Sequence, residues 1–298
     1  MRKRYKLSKD DLIFEIVTKA FLVIFVVIVF YPLYFVLIAS VTDPVYVNSG
    51  DFLLYPKGFT LMGYERIAQD DRIITGYGNT IMYTLCGTIL GVSVTMLAAY
   101  ALSRKDLPGS RTIMLLFIFT MYFQGGMIPF YFVVKGLNLV NTRLFMILSG
   151  SVSVYNIIIA RSFLASNISE ELRDAARIDG CGNATFFIKI VVPLSKAVTA
   201  VIALYLAVSY WNTYFNAMIF LTDEKKYPLQ LFLREILLAT QTASSSLGMD
   251  PSAAMQMEQM GQVIKYGVIV VTALPVICIY PFIQKYFVKG VMIGSIKG

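Results

Sequence analysis

Eighteen carboxylates, 26 lysines and arginines and no histidine make up the charged complement of this 298-residue chain. The missing imidazole removes the commonest general base and metal ligand from any mechanism. The three cysteines, Cys86, Cys181 and Cys278, show no CxxC spacing and no evident disulfide partner. The phosphate-binding pattern GxxxxGK followed by Ser or Thr is absent, so no nucleotide is held in that way. The chain is expected to have no catalytic residue, no metal site and no cofactor of its own.

Two constellations remain that could do work without reacting. The first begins at Asn167-Ile168-Ser169-Glu170, which reads as a capping box, with Glu170, Glu171 and Asp174 placed where a helix dipole favours negative charge. On the short helix this predicts, Leu172, Ala175, Ala176 and Asp179 share one narrow face centred on two alanines, which would let another surface come close. Gly180 and Gly182 are expected to end the helix with positive φ, and Phe186 to Val192 resumes an apolar stretch stopped by Pro193. By physics alone this is either a docking helix or a surface helix that tidies a connection. The second constellation is Tyr205, Tyr210, Trp211, Asn212, Tyr214 and Asn216, aromatic rings and amides of the kind that stack on sugar faces and bond hydroxyls. An interfacial aromatic belt is the alternative reading.

These residues need a framework, and composition says which. The chain is 57% hydrophobic and 15% charged, with a mean hydropathy of +0.68, far more apolar than a soluble domain. A lipid-spanning helix takes roughly 17–25 residues with few or no charges. Six uncharged runs fit, at residues 20–42, 73–103, 112–134, 144–160, 197–222 and 266–284. The first is too long for a secretory signal and lacks a small-residue cleavage pattern, so it reads as a retained helix. Lysine and arginine are more numerous on the side that holds the N-terminus, which places both ends in the cytoplasm. The expected organisation is a leader at 1–12, a six-span domain at 13–288 and a tail at 289–298. The net charge of +8 is accounted for by topology and anionic lipid, without nucleic acid.

No carboxylate falls inside the last five runs, and Glu15 stands at the entry to the first. Carriers driven by protons or cations keep an ionisable group within the membrane, so free energy for transport must come from another protein. Pro32 predicts a local break in the helix hydrogen bonding of the first span, and Gln124 to Pro129 an irregular end to the third. The segment 43–72 is expected to pack on the outer surface. Lys105 to Ser110 is a Pro-Gly turn that makes the second and third spans antiparallel neighbours. Two long polar loops follow, at about 166–193 inside and 223–265 outside. The outer one holds an amphipathic stretch, 227–238, suited to the membrane interface. Beyond it come Ser244, Ser245, Ser246, Met249, Met255, Met257 and Met260, read either as an adaptable contact surface or as ordinary packing.

Asp174-Ala175-Ala176, three residues, Gly180, nine residues, Ile190, then Val192-Pro193 closely resembles the EAA motif of ABC-importer permeases. Asp174 stands where Glu is usual and Val192 where Leu is usual. The stretches AYALSRKDLPG, GGMIPFYFVVKGLNL, EELRDAARIDG, PLSKAVTAVIALYLAVSYWNTYF, YPLQLFLREIL and QKYFVKGVMIGSIKG resemble the carbohydrate branch of that family, of the maltose and multiple-sugar type. They are most similar to its maltose-G-like subunit and to the branch serving complex oligosaccharides. The resemblance implies an all-α membrane protein with the type I importer permease fold. It also implies a cytoplasmic coupling helix built on Glu170, Glu171, Arg173, Asp174, Ala175, Ala176, Asp179, Gly180, Ile190 and Pro193. Implied partners are a homologous second permease, two copies of a cytoplasmic ATPase that holds the ATP and Mg, and an extracellular solute-binding protein. Tyr205 to Asn216 would line the oligosaccharide path, and the outer loop from about Glu235 to Gln262 would reach the binding protein, disorder without function being the alternative. The C-terminal residues 290–298 either touch the ATPases or form a free tail. The rival readings are an importer permease for a non-sugar solute and an ATP-independent channel or carrier. Missing intramembrane charge disfavours the latter.

Overall fold

A computed structural model describes residues 8–49, 53–244, 261, 263–278 and 281 of the chain. These residues are mostly helical, and no strand occurs among them beyond one isolated bridge, Thr42 to Phe59. Two compact units divide the chain, one of residues 1–69 and 236–273, the other of 70–235 and 274–298.

In the first unit, α1 (Lys9–Ala39) is apolar on every side, and its side chains are almost all exposed up to Leu37. A helix of that kind is stable only where lipid or another apolar surface covers it. The Ser8 amide donates to Asp11 Oδ2 at 3.2 Å, fixing its start. The helix runs through Pro32, which has no N–H to donate within it. At its far end the hydroxyls of Ser40 and Thr42 donate back to the carbonyls of Leu37 and Ile38. Short helices and turns follow. Asp43 caps α2 (Pro44–Asn48), accepting from the Val45 amide at 2.9 Å. The Asp43 amide in turn donates to the Gly58 carbonyl at 3.0 Å. In α3 (Met62–Ala68), Gly63 lies so close to Val263 that a Cβ would sit 2.9 Å from the Val263 carbonyl oxygen.

The second unit is built around α4 (Asp71–Ser103). A left-handed Gly109, φ +75°, starts α5 (Ser110–Tyr122). Gly126, φ +82°, starts α6 (Met127–Gly136), bent 115° from α5. Then come α7 (Arg143–Leu148) and α8 (Val154–Asn167), followed by α9 (Glu170–Ile178) and α10 (Asn183–Phe186). A π-helical turn, Phe187–Val191, leads into α11 (Val192–Leu194), and an 82° bend separates this run from α12 (Lys196–Trp211). The chain continues through α13 (Phe215–Phe220) and α14 (Leu229–Ser244) to the apolar helix α15 (Val263–Cys278). Both unit boundaries here fall inside helices, between Glu235 and Ile236 in α14 and between Ala273 and Leu274 in α15.

Helices α8 and α12 pack on α4, and small residues allow it. A Cβ on Gly87 would sit 2.2 Å from the Tyr210 ring, and one on Gly91 would sit 2.8 Å from Leu206 Cδ1. Thr95 and Ala99 continue the same stripe, fully buried. This is the small-xxx-small spacing by which membrane helices approach closely.

Among the described residues α1 and α4 are each long and apolar enough to cross a membrane. The α5–α6 pair and the run from Asn183 to Trp211 add two more only if each bent pair counts as one span. The runs expected to cross as single helices are broken by local chemistry. The third stops at Gln124-Gly125-Gly126, as anticipated. The fourth parts at 149–153, where Ser and Gly offer competing hydrogen bonds and free φ. The fifth parts after Trp211. The apolar residues of the 227–238 stretch are covered by protein: Leu229, Leu231, Phe232 and Leu233 are buried. Backbone polarity drives that burial. Asn79 donates to the carbonyls of Lys225 and Tyr227 at 2.9 and 3.0 Å, and the Leu229 amide donates to Thr80 Oγ1 at 2.9 Å. Gly76 makes room, since a Cβ there would meet the Phe232 ring at 2.9 Å.

Candidate functional site

Helix α9 starts at Ser169, whose Oγ accepts from the Leu172 amide at 3.3 Å, with Glu170 and Glu171 in the first turn. It ends at Gly180, φ +76°, where nothing lies within 4 Å of a built Cβ. Glycine stands there for its backbone and not for space. The Cys181 amide closes the end by donating to the Ala176 carbonyl at 2.8 Å. Gly182 behaves otherwise than expected. Its φ is −72°, and it caps the start of α10.

The two alanines also part company. Successive helical residues differ by about 100°. Ala176 turns inward, buried in a cluster with Tyr100, Phe186 and Val191, with Ile190 packed against it, while Ala175 is exposed. The outward surface carries Asp174, Ala175, Asp179 and an apolar knob, Ile178, 88% exposed. Pro193 is exposed and directly follows the π-helical turn within the continuous run from Asn183 to Leu194.

Charged side chains fix α9 to the turn after α4. Asp106 accepts from Arg104 Nε at 2.9 Å and from Arg173 Nη1 of α9 at 3.1 Å. Arg104 Nη1 donates to Asn183 Oδ1 at 2.9 Å, reaching α10. Lys105 Nζ lies 3.5 Å from Glu170 Oε2. Hydrogen bonds from Arg104, reinforced by the charges of Arg104 and Arg173, hold the Asp106 carboxyl well below the ordinary carboxylate range. Arg161 Nε donates to the Leu102 carbonyl at 2.9 Å, satisfying a group that the end of α4 leaves open. Of these residues, only Glu170 and Arg173 were legible as site residues from the sequence. Arg104, Asp106 and Asn183 were missed, although the alternating charge of Arg104-Lys105-Asp106 beside Pro108-Gly109 was a usable signal.

The aromatic cluster divides into three. Tyr210 is buried against Gly87 and Gly150, its hydroxyl donating to the Ile147 carbonyl. Trp211 is buried too, with its ring 6.2 Å from Tyr77. At the end of α12, Asn212 Nδ2 donates to the Val208 carbonyl at 2.8 Å, and Asn216 Nδ2 lies 3.5 Å from Ser149 Oγ. Tyr214, 42% exposed, is covered by the Arg234 guanidinium at 5.8 Å. Tyr205 stands apart, exposed on α12 beside a cavity of about 300 Å³ that opens at the 149–153 break. Ser244 ends α14 with its side chain outside the described residues, and Ser245, Ser246, Met249, Met255 and Met257 lie outside them altogether.

No family model matches the chain. It is 39% identical over 286 residues to the polygalacturonan/rhamnogalacturonan transport system permease protein YtcP of Bacillus subtilis, covering 96% of this chain and 99% of that one. It is 36% identical over 268 residues to the protein LplC of the same organism, covering 90% and 89%. Among solved structures, it is similar to a chain of a bacterial ABC transporter involved in the import of the acidic polysaccharide alginate. The TM-score is 0.82 and the identity 32%, over 95% of this chain and 99% of that chain.

Proposed function

The chain belongs to the permease family of ABC-type sugar transporters, and from that premise we propose that it is the membrane subunit of an ATP-driven oligosaccharide importer. Permeases of this family sit in the bacterial plasma membrane and are not themselves catalytic. In our reading the chain crosses six times with both ends inside, pairs with a homologous second permease, and holds neither ATP nor Mg. Two copies of a separate ATPase would hydrolyse the nucleotide, and an extracellular solute-binding protein would deliver the sugar.

One observation carries the coupling role. Helix α9 is tied to the 104–106 turn through Glu170 and Arg173, while its other surface, with Asp174, Ala175 and Ile178, faces outward. A helix anchored on one side and bare on the other transmits a push, and closure of the ATPase pair would supply it. Loaded binding protein outside would favour the same closed state, as reciprocal coupling requires. The names of the two polysaccharide-handling relatives favour a glycan over a peptide, a metal or an oxyanion as cargo.

Co-purification of the chain with its neighbours tests this reading. Ala175→Arg combined with Ile178→Asp, both on the outward surface, should remove the ATPase while the second permease stays bound. Retention of the ATPase by that variant refutes the coupling role.

A further inference from the structure

The break at 149–153 exposes the start of α8 on the wall of the 300 Å³ cavity, opposite Tyr205 and Ser209 of α12. Ser153 caps α8 by accepting from the Asn156 amide at 3.3 Å, which leaves the amides of Val154 and Tyr155 without an acceptor among the described residues. Asn156 itself is 4% exposed and lines the cavity, yet its carboxamide makes no hydrogen bond to a described residue. The little of Asn156 that stays exposed lies on the cavity wall, so its carboxamide is free to bond a group that enters. Ser, Tyr and Asn groups make the wall rich in donors, and no Asp, Glu, Lys or Arg lines it. A helix start of 14 residues adds a partial positive charge and free N–H groups.

Resting on the permease reading above, we propose that this cavity is a transit subsite for an acidic sugar unit. A uronate ring would lie between Tyr155 and Tyr205 with its carboxylate at the start of α8 and its ring oxygens near Asn156. Hydroxyls and a carboxamide both donate and accept, so they can bond the hydroxyls of any sugar ring, whereas the open N–H groups at the start of α8 only donate. A uronate presents an acceptor-only group, and this wall supplies the donors. The cavity lies at the small end of the roughly 300–1,000 Å³ range of ligand sites, which suits a single ring of a longer chain. A discontinuous span with a half-helix start facing an anion is a recurring way to hold a charged solute at membrane depth.

The test compares two caps in the assembled importer, reconstituted in vesicles with its binding protein and fed trigalacturonate. Ser153→Asn and Ser153→Asp both preserve a good N-cap, so both fold, and they differ by one charge. Initial uptake by the Asp variant should fall at least about tenfold below that of the Asn variant, because a fixed carboxylate competes for the same helix start. Equal rates overturn the proposal. Asn156→Leu should also slow trigalacturonate uptake at least about tenfold with the complex intact, and unchanged uptake overturns it as well. If the unaltered importer takes up a neutral trisaccharide and not trigalacturonate, the uronate subsite falls and the sugar-permease reading stands. If it takes up neither while carrying a non-sugar solute, both fall.

Discussion

Tyr210 and Gly87 offer a sharp test of whether the aromatic residues of α12 serve packing or passage. A Cβ added at Gly87 would lie 2.2 Å from the Tyr210 Cζ and 2.5 Å from both Cε atoms. Carbon atoms settle at about 3.5–4.0 Å, so Gly87→Ala must push the ring away by more than about 1 Å. The ring cannot simply slide, because its hydroxyl is tied to the Ile147 carbonyl and the same Cζ atom lies only 3.1 Å from the Cβ position of Gly150. Overpacking of this kind costs about 1–3 kcal/mol, and a broken hydrogen bond adds about 1 kcal/mol. Gly87→Ala should therefore destabilise the subunit by roughly 2–4 kcal/mol. At roughly 2 °C per kcal/mol, the thermal midpoint of the detergent-solubilised complex should fall by about 4 °C or more, read by size-exclusion after heating. Gly87→Ala with Tyr210→Leu should recover most of that loss, a coupling that only direct contact produces. A midpoint unchanged by Gly87→Ala, or additive losses in the double variant, would refute the packing role of Tyr210.

Asp106→Asn removes the shared acceptor of Arg104 and Arg173 and should lower uptake per ATP hydrolysed severalfold while ATPase remains bound, measured in vesicles with binding protein. The pH response of this latch follows from the sign of its shift. The folded value lies below the ordinary 3.8, so the contribution is full above that value and is lost as pH falls through the folded one. Proteolysis of the 104–109 turn should accordingly stay constant from neutral pH down to the ordinary carboxylate range. Gly180→Ala places a side chain at φ +76° in open space and should cost only the conformational penalty of about 1 kcal/mol, weakening ATPase co-purification without abolishing it.

Where local chemistry decided the outcome, the sequence was readable. Gly180 ending α9, the Pro108-Gly109 turn and the irregular end of the third run all follow from residue types within a few positions, whereas the capping box read at Asn167 is not formed: Asn167 ends α8 and Ser169 caps α9. Where tertiary packing decided, it was not. The periodicity that grouped Ala175 with Ala176 could not say which of two neighbours faces a buried Tyr100. Pro32 was readable as a lost helix hydrogen bond, and the continuation of α1 past it was not. The protein cover over the 227–238 stretch was not readable because its partners, Asn79, Thr80 and Gly76, lie about 150 residues earlier in the chain. The Gly87 to Gly91 spacing was visible all along, but its meaning depends on Tyr210 and Leu206 arriving from another helix.

Gly87 stands midway along α4, sixteen residues from Asp71 and sixteen from Ser103. At about 1.5 Å per residue, each arm of that helix is roughly 24 Å long. One arm ends at the Arg104–Asp106–Arg173 latch, and the other carries Asn79 and Tyr83, which hold the 225–227 carbonyls. The tightest backbone-to-ring approach on α4 therefore sits at the centre of an equal-armed beam. A rigid tilt about that point carries the two ends in opposite directions by equal amounts, about 0.4 Å for every degree. In an importer of the proposed kind, such a tilt would make closing one side and opening the other a single motion, with the ratio of the two displacements set by where a glycine falls in the sequence.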